Sequence, residues 1–516
     1  MKFAEERGVT LMTFDCIEEL HKVKDKKASI LGTPSLRILP DLFSSCPAIG
    51  DDFTAVRLAL GLPPLASLLR LSRSALGLLS LEIARPTRCT LNNVQVCFVQ
   101  AEMSSEGTSE TFILTRGTVQ EVARHIVQKQ KEDDSFFVCD VRDIVQKVEL
   151  WRQLLPRVTP FCAIKTNGDP VLMAVLDSLG VNFDCSNTNE MRNILEMGIH
   201  PDRIIYAHTM KSTSHMKFAE EQGVTMMTFD CIEELQKVKD KKARLLLRIK
   251  TEDEGCKLLF NNKFGCSVDD ARHILKSALD LNCNVIGVTF HVGSFHEHPE
   301  IFCRAIERAR IVFDIAADIG KPMMTCECIK RSIDEHFPES SGVQIIAEPG
   351  QFFCQSAYFL VLRVIGKRRS DVVIDGVPHR HQDVFLNESK NNCISPICDF
   401  IDVKIMPLEE PRERPMDVLT TLWGSTCNPL DRIADMKLFF DVNVDEWLVM
   451  DNMGAYTLSF VSGFNGTGFP TVHYIAPPST IDLVKQTVES SPMRSGYRQP
   501  EEALKLKRVR DKPELV

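Results

Sequence analysis

Lys165 closes the apolar run PFCAIK and is followed at once by Thr166, Asn167 and Gly168. A run that stays apolar to its last residue and then turns polar is how a buried strand brings one amine to the mouth of a pocket. An amine at the C-terminal end of a barrel strand loses solvation and drops its pKa, which suits it to Schiff-base chemistry with an aldehyde cofactor. A lone lysine would not carry that reading. Here Asp184, Arg248, His291, Ser294 and Glu348 also fall at or just after the ends of apolar runs. The set supplies an amine, a carboxylate for a pyridine nitrogen and a flat imidazole to stack on a ring. Pyridoxal phosphate requires such a negative partner at its ring nitrogen, because the protonated ring is the electron sink for decarboxylation.

The elements that must position these residues are legible from Phe136 onward. FFVCDV reads as a short strand, and Val141–Leu155 as a helix with Trp151 in its apolar stripe. PFCAIK, VNFDCSN, RIIYAH, VTMMTFD, LLLRIK and VIGVTFHVGS follow, most of them separated by helical patterns, and a further strand is expected at Ile345–Glu348. This alternation predicts βα units and a parallel barrel with its chemistry at the strand C-termini. After Phe353 the helices thin out, and YFLVLRVIG, LVMDNM and TVHYIAPP predict a second, mainly β domain. Upstream, Val119–Gln130 has a helical pattern.

At 516 residues the chain has material for a sizeable core and roughly two to four domains. A net charge of −9 with no basic stripe argues against a nucleic-acid partner. The 18 cysteines lack regular spacing and no secretory signal opens the chain, which reads as reduced thiols in a cytoplasmic protein. Cys326 with Cys328, and His296 with His298, lack the second half of a zinc site, so no metal is expected. Met1–Ala28 repeats Met216–Ala243 almost perfectly, differing only by Arg7 for Gln222, Leu11 for Met226 and His21 for Gln236. Solenoid repeats recur at a fixed period and diverge more, so the first copy reads as a duplication that packs loosely and adds no module. From Ala28 to Glu102 the Leu/Pro/Ser/Arg-rich sequence reads as a poorly ordered linker with a weak helical pattern at Leu65–Leu81. Prolines and arginines interrupt it too often for a membrane span.

PFCAIKTN, FDCSN, FHVGS, AEPG, WGSTCNPLDRI, DNMGAYT and FNG are collinear from Met103 to Pro477. This set resembles the fold-type III decarboxylases that are similar to alanine racemase, and within them the eukaryotic ornithine decarboxylase family. The resemblance implies an α/β plus β chain, with an alanine-racemase-like (β/α) barrel and a second mainly β domain. It implies the duplicated fragment and linker at 1–102, a segment beginning the β domain at 103–135, the cofactor barrel at 136–353, the β-rich domain at 354–480 and a polar tail at 481–516. Pyridoxal 5'-phosphate is the implied cofactor and ornithine the implied substrate. Lys165 is then the Schiff-base lysine, Glu348 the partner of the pyridine nitrogen and His291 the stacking ring. Asp184 and Arg248 lie beside them, and Ser294 and Tyr456 hold the phosphate. Cys427, from a partner subunit, protonates the product, while Asp399 and Phe464 line the substrate end. A homodimer with shared active sites follows, in which Lys263 and Asp431 match an intersubunit ion pair. The segment 216–243, with Lys217, Lys237, Lys239, Lys241 and Lys242 as a basic face, matches the family's antizyme-binding region.

Departures from the family's pattern define a second reading. The strand and three-glycine phosphate loop expected between FHVGS and AEPG are absent, so the barrel is expected to lack one strand. Only glycine permits the close backbone approach such a loop makes to a phosphate. Gln351 stands where an arginine is expected after AEPG, removing a charged contact worth about 1.5–3 kcal/mol. Asn428 stands where an acid is expected after the cysteine, and a tyrosine of the turn near Asn387–Asn392 is missing. The two readings are a decarboxylase making putrescine, weakened by these losses, and an inactive binding protein resembling antizyme inhibitor.

Overall fold

The computed structural model describes residues 9–12, 90–91, 94–98, 111–130, 133–251, 256–296, 300–320, 344–399, 403–409 and 414–490. Eight strands close a parallel barrel: β1 (Val9–Met12), β2 (Val158–Ala163), β3 (Asn182–Cys185), β4 (Ile204–Tyr206), β5 (Met226–Phe229), β6 (Arg244–Ile249), β7 (Val285–Phe290) and β8 (Gln344–Ala347). Their order around the ring is β1-β7-β6-β5-β4-β3-β2-β8. Inside the ring Phe161, Ile205, Met226, Leu246, Ile286 and Ile346 pack as one cluster. These are the inward residues of strands that read as nearly continuous apolar runs, as strands buried on both faces must.

Helices cover the outside, and their ends follow local signals. Val141–Leu154 starts at the Asp140 cap and buries Trp151, whose indole donates to the Val158 carbonyl at 2.8 Å. Pro170–Ser178 has Asp169 as its cap and Pro170 at its first position, where a missing N–H costs nothing. Thr213–Gln222 ends at Gly223, whose φ of +78° favours glycine.

The first surprise is β1. It belongs to the N-terminal copy, and its counterpart in the second copy, Val224–Met227, runs into β5. It pairs with β7 through Val9↔Gly287 to Met12↔Phe290, and with β8 through Val9↔Gln344 to Met12↔Ala347. The expected gap for a missing strand lies between β7 and β8, and Val9–Met12 fills it. The expectation that this copy packs loosely is therefore corrected for these four residues. A sequence able to form one parallel strand of this barrel has the same pattern to form another, and two unpaired neighbours supply the ladder. The segment 321–343, where the family's strand and glycine loop would fall, lies outside the described residues, as do Leu65–Leu81, Cys326 and Cys328.

The second layer is a large, mostly antiparallel sheet. In order it runs Arg432–Phe439, Val418–Trp423, Val377–Leu386, Tyr358–Ile374, Phe136–Asp140, Thr471–Ile475, Phe112–Leu114, Val94–Phe98 and Thr90–Leu91. Trp447–Met450 also pairs with Tyr358–Ile374, and Ile405–Pro407 with Trp447–Met450. Phe136–Asp140 is thus a strand of this sheet and not part of the barrel expected at 136–353. Thr90–Leu91 and Val94–Phe98 extend the sheet into what reads as linker. The expected tail likewise begins with a helix, Ile481–Ser490, which buries Val484 and Val488.

The seam between barrel and sheet is the turn after Lys165. Buried Asp169 accepts from the Tyr358 hydroxyl at 2.7 Å and from the Tyr474 hydroxyl at 3.1 Å. Burial pushes its carboxyl pKa up, and those hydroxyl donors oppose the rise. No helix among the described residues is long and apolar enough to cross a membrane.

Candidate functional site

One group of predicted residues converges at the C-terminal mouth of the barrel. β2 runs into a 3-10 turn, Ile164–Thr166, that carries Lys165. Its neighbour β3 carries Asp184 in register with Ala163. Lys165 Nζ lies 3.0 Å from Asp184 Oδ2, with the lysine side chain 43% exposed and the aspartate 1%. The amine is therefore ion-paired and open to the mouth, not stripped of water as the sequence suggested. Asn187, from FDCSN, caps the helix Thr188–Glu196 through Asn189 and Glu190 N–H, while Glu190 accepts from Ser186 N–H at 2.6 Å. That motif serves to fix the exit of β3.

Two clamps hold the Lys165 turn. Ala163 N–H donates to the Pro349 carbonyl at 3.2 Å, and a Cβ on Gly350 would lie 2.0 Å from Thr166 Oγ1. The AEPG motif needs its glycine for that close approach. From the sheet side, Tyr456 N–H and the Ser459 hydroxyl both donate to the Thr166 carbonyl, and Asn167 donates to the Gly454 carbonyl at 2.9 Å. Tyr456 takes φ +54° to do so.

Arg248, in β6, holds its guanidinium 4.7 Å from the centre of the Phe264 ring. His291 follows β7, and its Nδ1 accepts from Gly293 N–H at 3.0 Å. Its imidazole stacks on Phe260, ring centres 4.1 Å apart and planes 28° from parallel. Ser294 is buried two residues beyond Val292, and Glu348 is buried directly after β8. Phe260 was not foreseen, although it ends the short apolar run Leu258–Phe260 just before Asn261 and Asn262.

The second group stands on the sheet, in loops. Cys427 is exposed and sits beyond the end of Val418–Trp423. Its N–H donates to Asn465 Oδ1 at 3.4 Å, which ties it to the turn that carries Phe464. Asp431 is 1% exposed and organises both loops around its carboxylate. Oδ2 accepts from the Ser389 hydroxyl at 2.7 Å and from Thr426 N–H at 3.1 Å, and Oδ1 accepts from Lys390 N–H at 2.9 Å. Within this protomer Asp431 is therefore a loop anchor. Lys263, its expected partner, lies 5.0 Å from the Phe264 ring centre. Asn428 donates to Asn391 Oδ1 at 3.0 Å, and Lys390 Nζ reaches both oxygens of Asp399, at 2.7 and 2.9 Å. Lys390 was also missed, although a lone cation amid Asn and Ser nine residues before Asp399 was a readable signal.

The basic face expected on 216–243 is divided among two helices and the loop that follows the second, which carries Lys239, Lys241 and Lys242. Lys217 pairs with Glu221 at 3.6 Å on Thr213–Gln222, while Lys237 pairs with Glu234 on Ile232–Lys237. Lys239 and Lys241 donate to the carbonyls of Gln236 and Leu281, both at 3.4 Å. The β5 strand between the helices is buried.

A phosphorylated aldehyde can be tested against these residues. Gln351 is 1% exposed, and neither its amide nitrogen nor its amide oxygen makes a hydrogen bond among the described residues. A buried amide in that state costs about 1–3 kcal/mol, which an anionic ligand accepting from it offsets. It immediately follows the glycine packed on the Lys165 turn. An accessible amine, a buried carboxylate and an orphaned donor on adjoining strand ends fit the group.

Known proteins agree with this geometry. The profile of the "Pyridoxal-dependent decarboxylase, pyridoxal binding domain" matches residues 141–328. The ornithine decarboxylase of Rattus norvegicus is 34% identical over 391 residues, 70% of this chain and 84% of that protein. Antizyme inhibitor 2 of Xenopus laevis is 34% identical over 427 residues, 76% of this chain and 91% of that protein. Among solved structures, the arginine decarboxylase of Paramecium bursaria Chlorella virus bound to agmatine superposes with a TM-score of 0.63 at 32% identity, covering 69% of this chain and 100% of that one. The chain belongs to the ornithine decarboxylase and antizyme inhibitor family of pyridoxal-dependent decarboxylases, whose cofactor is pyridoxal 5'-phosphate.

Proposed function

We propose that this chain is a pyridoxal-phosphate-dependent decarboxylase that converts L-ornithine to putrescine and CO2 as a cytoplasmic homodimer. The observation that carries the reading is the Lys165–Asp184 pair at 3.0 Å on adjoining strand ends, beside buried Glu348 and Gln351. An inactive binding protein has no physical need of that amine held open at a barrel mouth. When bound, the pyridoxal ring supplies the electron sink that loss of a carboxylate requires.

The chain's own residues do the rest. Lys165 offers the amine that captures the aldehyde, and Asp184 orients it. Glu348 provides the negative partner for the ring nitrogen, and His291, backed by Phe260, provides a flat face. Gln351, Ser294 and Tyr456 address the phosphate end, and Arg248 lies beside the lysine and the ring. Asp399 and Phe464 line the distal end of the substrate. Cys427 Sγ–H gives the proton that replaces the departing carboxylate on the substrate carbon, and its exposure lets solvent restore that proton. Exposed Leu430 and Phe464 lie in the same loops as Cys427 or tied to them. Burying them against a second copy would bring the thiol over a neighbouring barrel mouth.

A second reading, an antizyme-inhibitor-like protein that binds antizyme through 216–243, is favoured by one observation. The charge of Asp399 is already balanced by Lys390. Assaying putrescine from L-ornithine with added cofactor separates the two. Putrescine formation, lost in Cys427→Ala or diverted to other products, supports the decarboxylase. No putrescine at saturating cofactor, together with tight antizyme binding, replaces it with the second reading.

A further inference from the structure

Asp399 and Asn428 mark the end of the site where a diamino acid would place its distal ammonium. There the carboxylate of Asp399 is already held by an internal cation. Lys390 Nζ contacts both carboxylate oxygens of Asp399, at 2.7 and 2.9 Å, which is the seat a substrate ammonium would take. The lysine side chain is 18% exposed and the aspartate 52%, so the cation is the more enclosed partner. Asn428 adds no charge, and its amide is engaged by Asn391, which in turn donates to Thr426 Oγ1 at 3.3 Å. Lys390 is also held by its backbone, since its N–H donates to the buried Asp431 carboxylate that anchors the Cys427 loop. The lysine is thus built into the same framework as the thiol and does not wander as a surface side chain would.

We propose that Lys390 is a specificity-determining residue: its ammonium acts as an internal counter-ion that a distal primary ammonium, from a diamino acid or diamine, must displace from Asp399. The inference rests on the reading that Asp399 lines the substrate end. It deepens that reading by making selectivity depend on competition between two cations for one carboxylate. Diamino acids then bind weakly, and the penalty falls on binding and KM.

The test is calorimetric titration of the full-length protein with putrescine, in the wild type and in Lys390→Met, Lys390→Arg and Lys390→Met/Asp399→Asn. Methionine keeps the length and leaves the backbone contact to Asp431 in place. Lys390→Met should bind putrescine about fivefold more tightly, the scale of one half-exposed ion pair. Lys390→Arg should match the wild type, and the double variant should lose the gain. Equal affinity in wild type and Lys390→Met, or absence of binding in both, overturns the proposal. Tighter binding that survives Asp399→Asn also overturns it, because the effect would not pass through that carboxylate. The decarboxylase reading is judged apart, by putrescine formation at saturating L-ornithine in the wild type.

Discussion

In the barrel half of the site, Asp184 lies in a strand and Lys165 and Glu348 just follow strands, whose ladders already fix their backbones. In the sheet half, Cys427, Asn428 and Lys390 stand in loops that hang from one buried carboxylate, Asp431. Strand ends inherit their position from many shared hydrogen bonds, so a single side chain is dispensable to the geometry. Loops concentrate the same task in a few contacts, and losing one of them should unmoor the group. The two halves should therefore fail separately.

Deleting Met1–Leu20 attacks the barrel alone. A four-residue strand paired on both sides contributes hydrogen bonds of about 0.5–1.5 kcal/mol each, so the loss should be on the order of 5 kcal/mol. Chemical denaturation should show that loss with a fall in cofactor affinity. An unchanged midpoint and affinity would mean that Val9–Met12 adds nothing to the ring.

Asp431→Ala attacks the sheet half. It strips buried donors of a charged acceptor and should cost about 3 kcal/mol. Cofactor binding at Lys165 should stay close to wild type while putrescine formation collapses. Equal damage to cofactor binding would show that the halves are not independent.

A third test probes the sheet's frame through pH. His473 is buried, its Nδ1 accepting from Phe112 N–H at 3.0 Å, and burial pushes its pKa down from 6.5 to about 3. Below 6.5 the unfolded chain takes up a proton that the folded chain refuses. Stability is therefore fully present above 6.5 and declines as pH falls toward about 3, by about 1.4 kcal/mol per pH unit. His473→Asn should flatten that slope in denaturation curves recorded between pH 6 and 4. A slope identical to wild type would remove His473 from the account.

The same contrast explains how much was legible in advance. Lys165, Asp184, Arg248, His291 and Glu348 were readable because apolar runs announce strands, and chemistry in a parallel barrel collects where strands stop. The strands themselves fell where the apolar runs put them. Cys427 was found as part of WGSTCNPLDRI, but its exposure was not, since no local pattern reports what lies above a loop. Asp431 as an anchor was equally hidden, because Ser389 and Lys390 lie some forty residues away in sequence. Val9–Met12 taught the opposite lesson. Its repeat of the β5 segment was plain, yet where it docks depended on a gap between β7 and β8 that only the closed ring reveals.

The central claim is that the Lys165 mouth is a working cofactor site. Titrating the purified full-length protein with pyridoxal 5'-phosphate, and following the visible absorbance of the bound form, tests it most directly. The account predicts a saturable band in the wild type that is absent in Lys165→Ala, while Cys427→Ala keeps it at wild-type affinity. A band that persists in Lys165→Ala, or no band in the wild type at any cofactor concentration, would contradict it.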